Sequence, residues 1–189
     1  MSRRAFLRGA AALAGGAALG SLGCSTPGVR LDAPYVSTPW QAVDAMLRLA
    51  RVNAADTVYD LGCGDGRFII AAAADFGARG VGIDIDPRRI AEANDAARSA
   101  GVAGRVSFRI EDLFSADLRP ATVVTLFLTP ELNAKLAPRL AAQLRPGARV
   151  VSYRYRVADW VPADDALVAA DHGSDTIYLW TMPPAARRG

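Results

Sequence analysis

Glycines alternate with other residues in one short segment of the chain, Asp60-Leu61-Gly62-Cys63-Gly64-Asp65-Gly66. A β-rich run precedes this segment and an apolar helical run follows it, which indicates a turn between a strand and a helix. Glycine in such a turn lets the backbone approach a ligand closely, because a Cβ there would collide. The unpaired amides at the start of the following helix favour electronegative groups. The segment therefore predicts a ligand-binding loop.

Two further carboxylates follow the next two predicted strands. Asp84 ends the second strand, and in doubly wound folds an acidic residue about 20 positions after the glycine loop accepts the hydroxyls of a ribose. Asp112 follows the third strand, where a carboxylate can accept the amino group of an adenine. Because parallel strands end at the same edge of a sheet, we expect Asp60, Asp84 and Asp112 to share one adenosine-binding crevice.

The charges around the loop indicate which nucleotide it binds. Dinucleotide-binding folds carry Gly-x-Gly-x-x-Gly, whereas this chain has Asp-x-Gly-x-Gly-x-Gly, with Asp60 and Asp65 in and beside the loop. Two carboxylates there repel a pyrophosphate but attract the ammonium and sulfonium groups of S-adenosylmethionine. The sequence therefore predicts S-adenosylmethionine as the cofactor and disfavours a nicotinamide-dependent oxidoreductase.

Strand and helix patterns alternate along most of the chain. We predict strands over residues 57–61, 80–84, 105–110, 121–128 and 149–153, and helices over residues 39–50, 67–76, 87–100 and 130–144. Thr38 is the expected N-cap of the first helix, and Pro138 is expected to bend or divide the last one. Residues 166–170 and 176–182 form a hairpin around a polar turn. The expected fold is α/β: a Rossmann-like, doubly wound sheet of seven mostly parallel strands with a C-terminal antiparallel hairpin.

Composition excludes several function classes. The chain of 189 residues has 22 basic and 19 acidic residues, and three of the arginines (Arg3, Arg4 and Arg8) lie near its start. The rest of the chain is balanced in charge, so we predict no nucleic-acid partner. One histidine, His172 in a polar turn, and two cysteines without zinc-site spacing predict no metal. We also expect no disulfide.

The start of the chain resembles an export signal. Arg3-Arg4-Ala5-Phe6-Leu7 precedes a short apolar run, the arrangement of a twin-arginine signal peptide. Ser21-Leu22-Gly23-Cys24 is similar to a lipobox with Ser21 where leucine is usual. Either Cys24 is lipidated, or cleavage occurs nearby without lipidation, or the apolar run stays as an uncleaved anchor. We expect a signal over residues 1–24, a linker over 25–34 and one domain over 35–183. The expected location is periplasmic or lipid-anchored after export, with activity on the cytoplasmic side left open.

The loop and its flanking segments resemble one enzyme superfamily. Residues 59–67, Tyr59-Asp60-Leu61-Gly62-Cys63-Gly64-Asp65-Gly66-Arg67, are similar to motif I of class I S-adenosylmethionine-dependent methyltransferases. Other segments resemble a small branch that includes the lysine methyltransferases of the ATP synthase c-subunit and of the adenine nucleotide translocase. These segments are Tyr35-Val36-Ser37-Thr38-Pro39, Asp112-Leu113-Phe114, residues 123–128, residues 149–152, and Asp159-Trp160 followed by Pro162. The resemblance covers nearly the whole expected domain.

The resemblance implies a role for each matching position. Asp60, Gly62, Gly64, Asp65 and Gly66 would hold the methionine part of the donor, Asp84 and Ile85 the ribose, and Asp112 and Leu113 the adenine. Tyr35 and Thr38 would close over the donor from the N-terminal side. The acceptor-side positions are Leu128, Thr129, Tyr153 and Trp160, although Tyr153 and Trp160 are equally well explained as core or rim aromatics.

The implied reaction is methyl transfer to a protein amino group, that of a lysine. The turn after the fourth strand, Leu128-Thr129-Pro130, lacks the Asn-Pro-Pro-Tyr sequence that marks methylation of bases and glutamine. Methyl transfer needs orientation and exclusion of water rather than a dedicated base, so we assign no catalytic residue. Membrane attachment through the N-terminus would favour a membrane-embedded acceptor. The alternative is an exported domain that binds or scaffolds without turnover, because the donor is made in the cytoplasm.

Overall fold

A computed structural model describes residues 36–183 and 185–186. The expected signal and linker, Tyr35 and the expected lipidation site Cys24 lie outside these residues. Cys63, which is described, is a free and buried cysteine. Within the described ranges, no helix has both the length and the apolar character needed to cross a membrane.

Helices and strands alternate along the chain in the predicted order. Helices α1 to α4 lie at Trp40–Leu49, Arg67–Phe76, Pro87–Ser99 and Pro130–Gln143. Strands β1 to β5 lie at Thr57–Leu61, Arg79–Asp84, Val106–Ile110, Val123–Leu126 and Arg149–Tyr153. Strands β6 to β9 lie at Trp160–Val161, Asp164–Ala170, Gly173–Thr181 and Ala185–Ala186.

Seven of these strands form one sheet in the order β3-β2-β1-β4-β5-β8-β7. Strands β1 to β5 pair in parallel, whereas β8 pairs antiparallel with both β5 and β7. This arrangement confirms the predicted fold class, including the C-terminal antiparallel hairpin. The short β6 and β9 pair with each other in a second sheet. The sequence did not predict them, because strands of two residues leave no alternating pattern.

Two details at the helices differ from the prediction. Pro39, not Thr38, is the N-cap of α1, and the Thr38 carbonyl instead accepts a hydrogen bond from the Arg67 guanidinium at the start of α2. Helix α4 continues through Pro138 without being divided. Pro138 and Ala134, whose carbonyl loses its helical partner, are both exposed, so water can replace the missing hydrogen bond.

Helices cover both faces of the sheet. Leu47 of α1 and Ile69 of α2 are buried on one face, and Leu136 and Leu140 of α4 are buried on the other. Full burial of a leucine or isoleucine side chain stabilises the fold by roughly 1.5–3 kcal/mol. Helix α3 packs beside α2 through Ala97. This packing fixes the parallel strands so that the turns after β1, β2, β3 and β4 meet at the carboxyl edge of the sheet.

Candidate functional site

A cavity opens at the carboxyl edge of the sheet. Its lining includes the predicted residues Thr38, Asp60, Gly62, Asp65, Asp84, Ile85, Asp112, Leu113 and Leu128. It also includes residues to which the sequence analysis assigned no ligand: Val36, Ser37, Cys63, Arg67, Phe68, Asp86, Arg88, Arg89, Glu111, Phe127 and Leu132. The carboxylates that follow three different strands, Asp60, Asp84 and Asp112, therefore lie in one cavity.

Gly62 is the loop glycine that faces this cavity. Its φ is +83°, so a side chain there would be strained, and its Cβ would lie in tight contact with Leu128, 3.2 Å from Cδ2. Gly64 and Gly66 are buried and do not line the cavity. A Cβ on Gly66 would lie 2.6 Å from the Phe108 ring. Gly66 therefore allows α2 to pack closely against β3, and Gly62 allows a ligand to approach the backbone.

Asp60 is a buried carboxyl group in β1. Thr125 Oγ donates a hydrogen bond to Asp60 Oδ1 over 2.7 Å. Burial, partly opposed by that hydrogen bond, raises the pKa of Asp60 to about 7, and the charges of Asp84 and Asp65 add to the rise. Among the described residues, no guanidinium or ammonium group contacts Asp60. A cationic ligand would therefore stabilise its ionised form.

Asp84 is held in place by two backbone amides. Gly64 N–H donates to Asp84 Oδ2 and Asp86 N–H donates to Asp84 Oδ1, each over 2.9 Å. A carboxylate oxygen has two lone pairs, so each oxygen can still accept a hydrogen bond from a ligand in the cavity. Two adjacent hydroxyl groups, as on a ribose, match this pair of acceptors.

Asp65 is paired within the protein. Arg67 Nε donates to Asp65 Oδ1 over 2.9 Å, and the same guanidinium donates to the Thr38 carbonyl. The Arg67 guanidinium also lies 5.3 Å from the centre of the exposed Trp40 ring. From the sequence alone, the Asp65 charge is expected to attract a cationic ligand. Because Arg67 neutralises Asp65, Asp60 is the carboxylate of this segment that can attract a cationic ligand.

The turns after β2 and β3 form another wall of the cavity. Ile85 is 40% exposed and Leu113 is half-buried, so both offer apolar contact to a planar ring. Asp112 is exposed, and its Oδ1 accepts a hydrogen bond from Phe114 N–H over 2.8 Å. Glu111 N–H donates to the Asp84 carbonyl over 3.1 Å. This backbone bond connects the ends of β2 and β3 and fixes the spacing of their carboxylates.

Two of the predicted acceptor-side residues lie at or beside the cavity. Leu128 lines it. Thr129 follows directly and is the N-cap of α4, where its hydroxyl accepts a hydrogen bond from Leu132 N–H. Phe127 and Leu132 also line the cavity but were not predicted. Phe127 lies in a continuous apolar run, which gives no sign of where its strand ends, whereas a leucine one helical turn after the cap Thr129 was a usable signal.

The other two acceptor-side positions lie elsewhere. Tyr153 is fully buried, and its hydroxyl donates to Asp175. Trp160 is half-buried and packs edge-on against Trp180, with 6.4 Å between the ring centres. Neither lines the cavity, so the structure places them as core and rim aromatics.

Cys63 lies in the loop as a small buried residue. It is 4% exposed, and burial, together with the charges of Asp60 and Asp84, raises the pKa of its thiol. The thiolate needed for nucleophilic chemistry is therefore disfavoured. In the part of the chain that the structure describes, no group of three or more His, Cys, Asp or Glu residues could hold a metal ion.

The cavity lining fits S-adenosylmethionine on chemical grounds. Asp60 is a buried carboxyl group whose ionised form requires a cation, and the ligand carries an ammonium and a sulfonium. The two oxygens of Asp84 match the ribose hydroxyls, and Ile85 and Leu113 match the adenine ring. Gly62 leaves space that a Cβ would fill.

Known proteins match most of this chain. Residues 60–164 match the model of the ANTKMT methyltransferase domain. The protein-lysine N-methyltransferase of Saccharolobus islandicus is 43% identical over 150 residues, which cover 79% of this chain and 93% of that protein. The adenine nucleotide translocase lysine N-methyltransferase of Mus musculus is 32% identical over 154 residues, covering 82% of this chain and 65% of the mouse protein. The chain thus spans most of the archaeal relative and just under two thirds of the mouse one.

Two solved structures that are similar to this chain contain S-adenosyl-L-homocysteine. An RNA methyltransferase from Salinibacter ruber in complex with S-adenosyl-L-homocysteine is 49% identical with a TM-score of 0.75, covering 82% of this chain and 98% of that one. A methyltransferase from Geobacter sulfurreducens, also bound to S-adenosyl-L-homocysteine, is 26% identical with a TM-score of 0.55, covering 69% of this chain and 49% of that one. S-adenosylhomocysteine is what S-adenosylmethionine becomes after methyl transfer. The chain therefore belongs to the family of the ANTKMT methyltransferase domain and is an S-adenosylmethionine-dependent methyltransferase.

Proposed function

We propose that this methyltransferase modifies the side-chain amino group of a lysine in a protein. The observation that carries the proposal is the charge of the cavity lining. Six carboxylates line the cavity with three guanidinium groups: Asp60, Asp65, Asp84, Asp86, Glu111 and Asp112 with Arg67, Arg88 and Arg89. The excess of negative charge attracts a lysine-bearing segment and repels a phosphate backbone.

The arginines of the lining do not offset this preference. Each forms an ion pair with a carboxylate: Arg67 with Asp65, Arg88 with Asp86, and Arg89 with Glu92. A guanidinium that is already paired has less charge to offer an RNA phosphate. The names of the relatives differ on this point, since one is a protein-lysine methyltransferase and another an RNA methyltransferase. The charge of the lining favours the protein acceptor.

The donor-binding roles follow from the contacts of the lining residues. Asp60 and Gly62 would hold the methionine part, Asp84 and Ile85 the ribose, and Asp112 and Leu113 the adenine. When bound, S-adenosylmethionine supplies a methyl group that its sulfonium already activates. The protein then has to bring the acceptor nitrogen into line with the methyl group and exclude water.

The acceptor side of the cavity is apolar. Phe127, Leu128 and Leu132 line it, and Leu128 is 8% exposed. An apolar wall can contact the methylene groups of a lysine stem, and it disfavours the charged form of an amine that enters. The amine must lose its proton before it can attack, so this wall promotes the reactive form without a dedicated base.

The test is a transfer assay with the full chain and methyl-labelled S-adenosylmethionine. Poly-L-lysine and total tRNA are offered in separate reactions, and the poly-L-lysine is hydrolysed to identify methyl-lysines. We expect label in methylated lysine and background label in the tRNA. Asp84→Ala is the inactive control. Label in the tRNA together with unlabelled poly-L-lysine would overturn the proposed acceptor.

We also propose that residues 1–24 direct export by the twin-arginine pathway. The support is the paired arginines and short apolar run of the sequence, which lie outside the described residues. Fractionation of cells that produce the full chain with a C-terminal tag tests this. Export predicts tagged protein in the periplasmic or membrane fraction, shifted to the cytoplasm by replacing Arg3 and Arg4 with lysine. Tagged protein that is cytoplasmic with either sequence would contradict export.

A further inference from the structure

An ion-pair cluster lies outside the cavity, where β5 ends and the β7–β8 hairpin turns. Asp175 of β8 is its centre and is 9% exposed. The Tyr153 hydroxyl donates to Asp175, Arg154 Nη2 lies 2.8 Å from Asp175 Oδ2, and His172 Nε2 lies 3.1 Å from Asp175 Oδ1. The hydrogen bond from Arg154, aided by those from Tyr153 and His172, lowers the pKa of Asp175 to about 2. The centre of the cluster is therefore a fixed negative charge.

One ring connects this cluster to the cavity. Phe127 lines the cavity and packs edge-on against Tyr153, with 4.8 Å between ring centres and 72° between ring planes. The guanidinium carbon of Arg154 lies 5.8 Å from the centre of the Phe127 ring and 5.1 Å from that of Tyr153. Both side chains that contact the Phe127 ring in this way are bonded to Asp175.

Arg154 makes these contacts from an unusual backbone conformation. Its φ is +66°, in the left-handed region that L-residues rarely adopt. Its N–H donates to the Thr176 carbonyl over 2.8 Å, which ties the residue to β8. Such conformations persist where the surroundings enforce them, and they are concentrated at functional sites. Arg154, which is held in this conformation, contacts both Asp175 and Phe127.

The position of Phe127 in the sheet assigns it to the acceptor side. It directly follows β4, which pairs with β1 on the side away from β2 and β3. The carboxylates assigned to the donor follow β1, β2 and β3. Phe127 therefore lies on the β4 side of the cavity, on the side of β1 away from the turns that carry Asp84 and Asp112.

We propose that the Asp175 cluster positions Phe127 as the wall against which the acceptor side chain packs. Tyr153, Arg154 and Asp175 are then positioning residues, which act through the Phe127 ring, and Phe127 sets how well the acceptor fits. The inference rests on the proposed function, since it takes the acceptor to be an extended side chain that enters beside this ring. A cluster that only stabilised the fold would affect the unfolding free energy and leave the ring and the acceptor unaffected.

The position of the ring can be tested without an acceptor. The chain has six phenylalanines, so fluorine NMR of the full chain labelled with 3-fluorophenylalanine gives few signals, and Phe127→Leu identifies the Phe127 signal by its loss. We expect the restrained ring to give two resonances in the unchanged protein and one averaged resonance in Asp175→Asn. Tyr153→Phe removes the hydroxyl alone and should give the same change, which covers the case in which Asp175→Asn does not fold.

The matched control is Asp56→Asn, another buried aspartate that is bonded to a hydroxyl and a guanidinium, but at the opposite edge of the sheet. It should leave the Phe127 resonances unchanged. Phe127 resonances that are the same in Tyr153→Phe and in the unchanged protein would overturn the inference.

Kinetics test the consequence for the acceptor. With poly-L-lysine as the probe, Tyr153→Phe should raise KM about fivefold while kcat and the Kd for S-adenosylhomocysteine change less than twofold, as expected for a lost hydrogen bond that acts on acceptor binding. A change in unfolding free energy without a change in KM would contradict the inference. If the unchanged protein does not methylate poly-L-lysine, the proposed lysine acceptor fails, and the fluorine spectra still decide whether the cluster holds Phe127.

Discussion

Two aspartates at opposite ends of β1 are almost equally buried but have different surroundings. Asp56 precedes the strand and is 4% exposed, and it accepts hydrogen bonds from the Thr122 hydroxyl and the Arg149 guanidinium. Asp60 lies within the strand and is 3% exposed. It accepts a hydrogen bond from a threonine hydroxyl too, but the charges that act on it are those of other carboxylates.

This difference separates a residue that the fold requires from a residue that the ligand requires. A buried carboxylate with a guanidinium partner is compensated, and removing it would leave the cation without a partner. A buried carboxylate among other carboxylates costs free energy whenever it is ionised. We infer that Asp56 stabilises the amino edge of the sheet. Asp60, at the carboxyl edge, instead provides a negative charge that the cationic donor can neutralise.

The largest expected loss of stability is that of Asp56→Asn. It removes the anionic partner of Arg149, whose side chain is 20% exposed, and it weakens the bond to Thr122. We expect the free energy of unfolding to fall by about 2 kcal/mol or more. Denaturant unfolding measures this, and an unchanged midpoint would show that the buried pair contributes nothing.

Asp60→Asn should raise the free energy of unfolding, whereas Asp56→Asn lowers it. Because burial raises the pKa of Asp60 to about 7, the folded state holds its proton more tightly than the unfolded state does. The unchanged protein therefore loses stability as the pH rises from about 4 to 7, and the amide variant avoids this loss. We expect a gain on the order of 4 kcal/mol at pH 8 that vanishes near pH 4. A loss of stability at pH 8 would mean that Asp60, like Asp56, serves the fold.

The pH dependence of ligand binding also distinguishes Asp60 from Asp56. S-adenosylhomocysteine carries an ammonium, so its affinity should rise as Asp60 ionises. Since the pKa of Asp60 is raised to about 7, we expect a several-fold rise between pH 6 and 7.5, a range over which the amino group of a free amino acid keeps its proton. Calorimetry should show this rise in the unchanged protein and in Asp56→Asn, and a flat profile in Asp60→Asn. A rise that persists in Asp60→Asn would assign the titration to another group.

The smallest expected effect is that of Asp112→Ala. Asp112 is exposed, and one of its oxygens already accepts a hydrogen bond from Phe114 N–H. A single exposed hydrogen bond to the adenine amino group is worth about 0.5–1.5 kcal/mol, so we expect about a fivefold loss of affinity for S-adenosylhomocysteine. S-inosylhomocysteine, which lacks that amino group, should bind equally well to the unchanged protein and to Asp112→Ala. If Asp112→Ala also binds S-inosylhomocysteine more weakly than the unchanged protein does, Asp112 acts by holding the turn and not by bonding to the amino group.

Much of the fold could be predicted because its signals are local. The glycine loop after β1 and the Asp86-Pro87 cap of α3 each indicate a boundary, and the structure places α2 at the predicted Arg67–Phe76. The spacing of Asp60, Asp84 and Asp112 also indicated one edge of a parallel sheet. These features depend on residues near in sequence and on the topology of the fold class.

The side-chain contacts at the site could not be predicted, because they depend on where long side chains lie after folding. The sequence shows Arg67 two residues after Asp65 but does not show that its guanidinium neutralises that carboxylate and bonds to Thr38. Nor does it show that Tyr153 points away from the cavity toward Asp175, 22 residues later. The partners of a buried charge are set by tertiary packing, so which aspartate stays available to a ligand could not be predicted.

The assignment of the carboxyl edge to the methyl donor can be tested by calorimetric titration of the full chain with S-adenosylhomocysteine, comparing Asp84→Ala with Asp56→Asn at one pH. Asp84 offers two acceptors to the ribose hydroxyls, and hydrogen bonds to a charged group are worth about 1.5–3 kcal/mol each. We expect Asp84→Ala to lose affinity by at least about 100-fold, and Asp56→Asn, while folded, to bind as the unchanged protein does. Equal affinity of Asp84→Ala and the unchanged protein would contradict the assignment of the carboxyl edge to the donor.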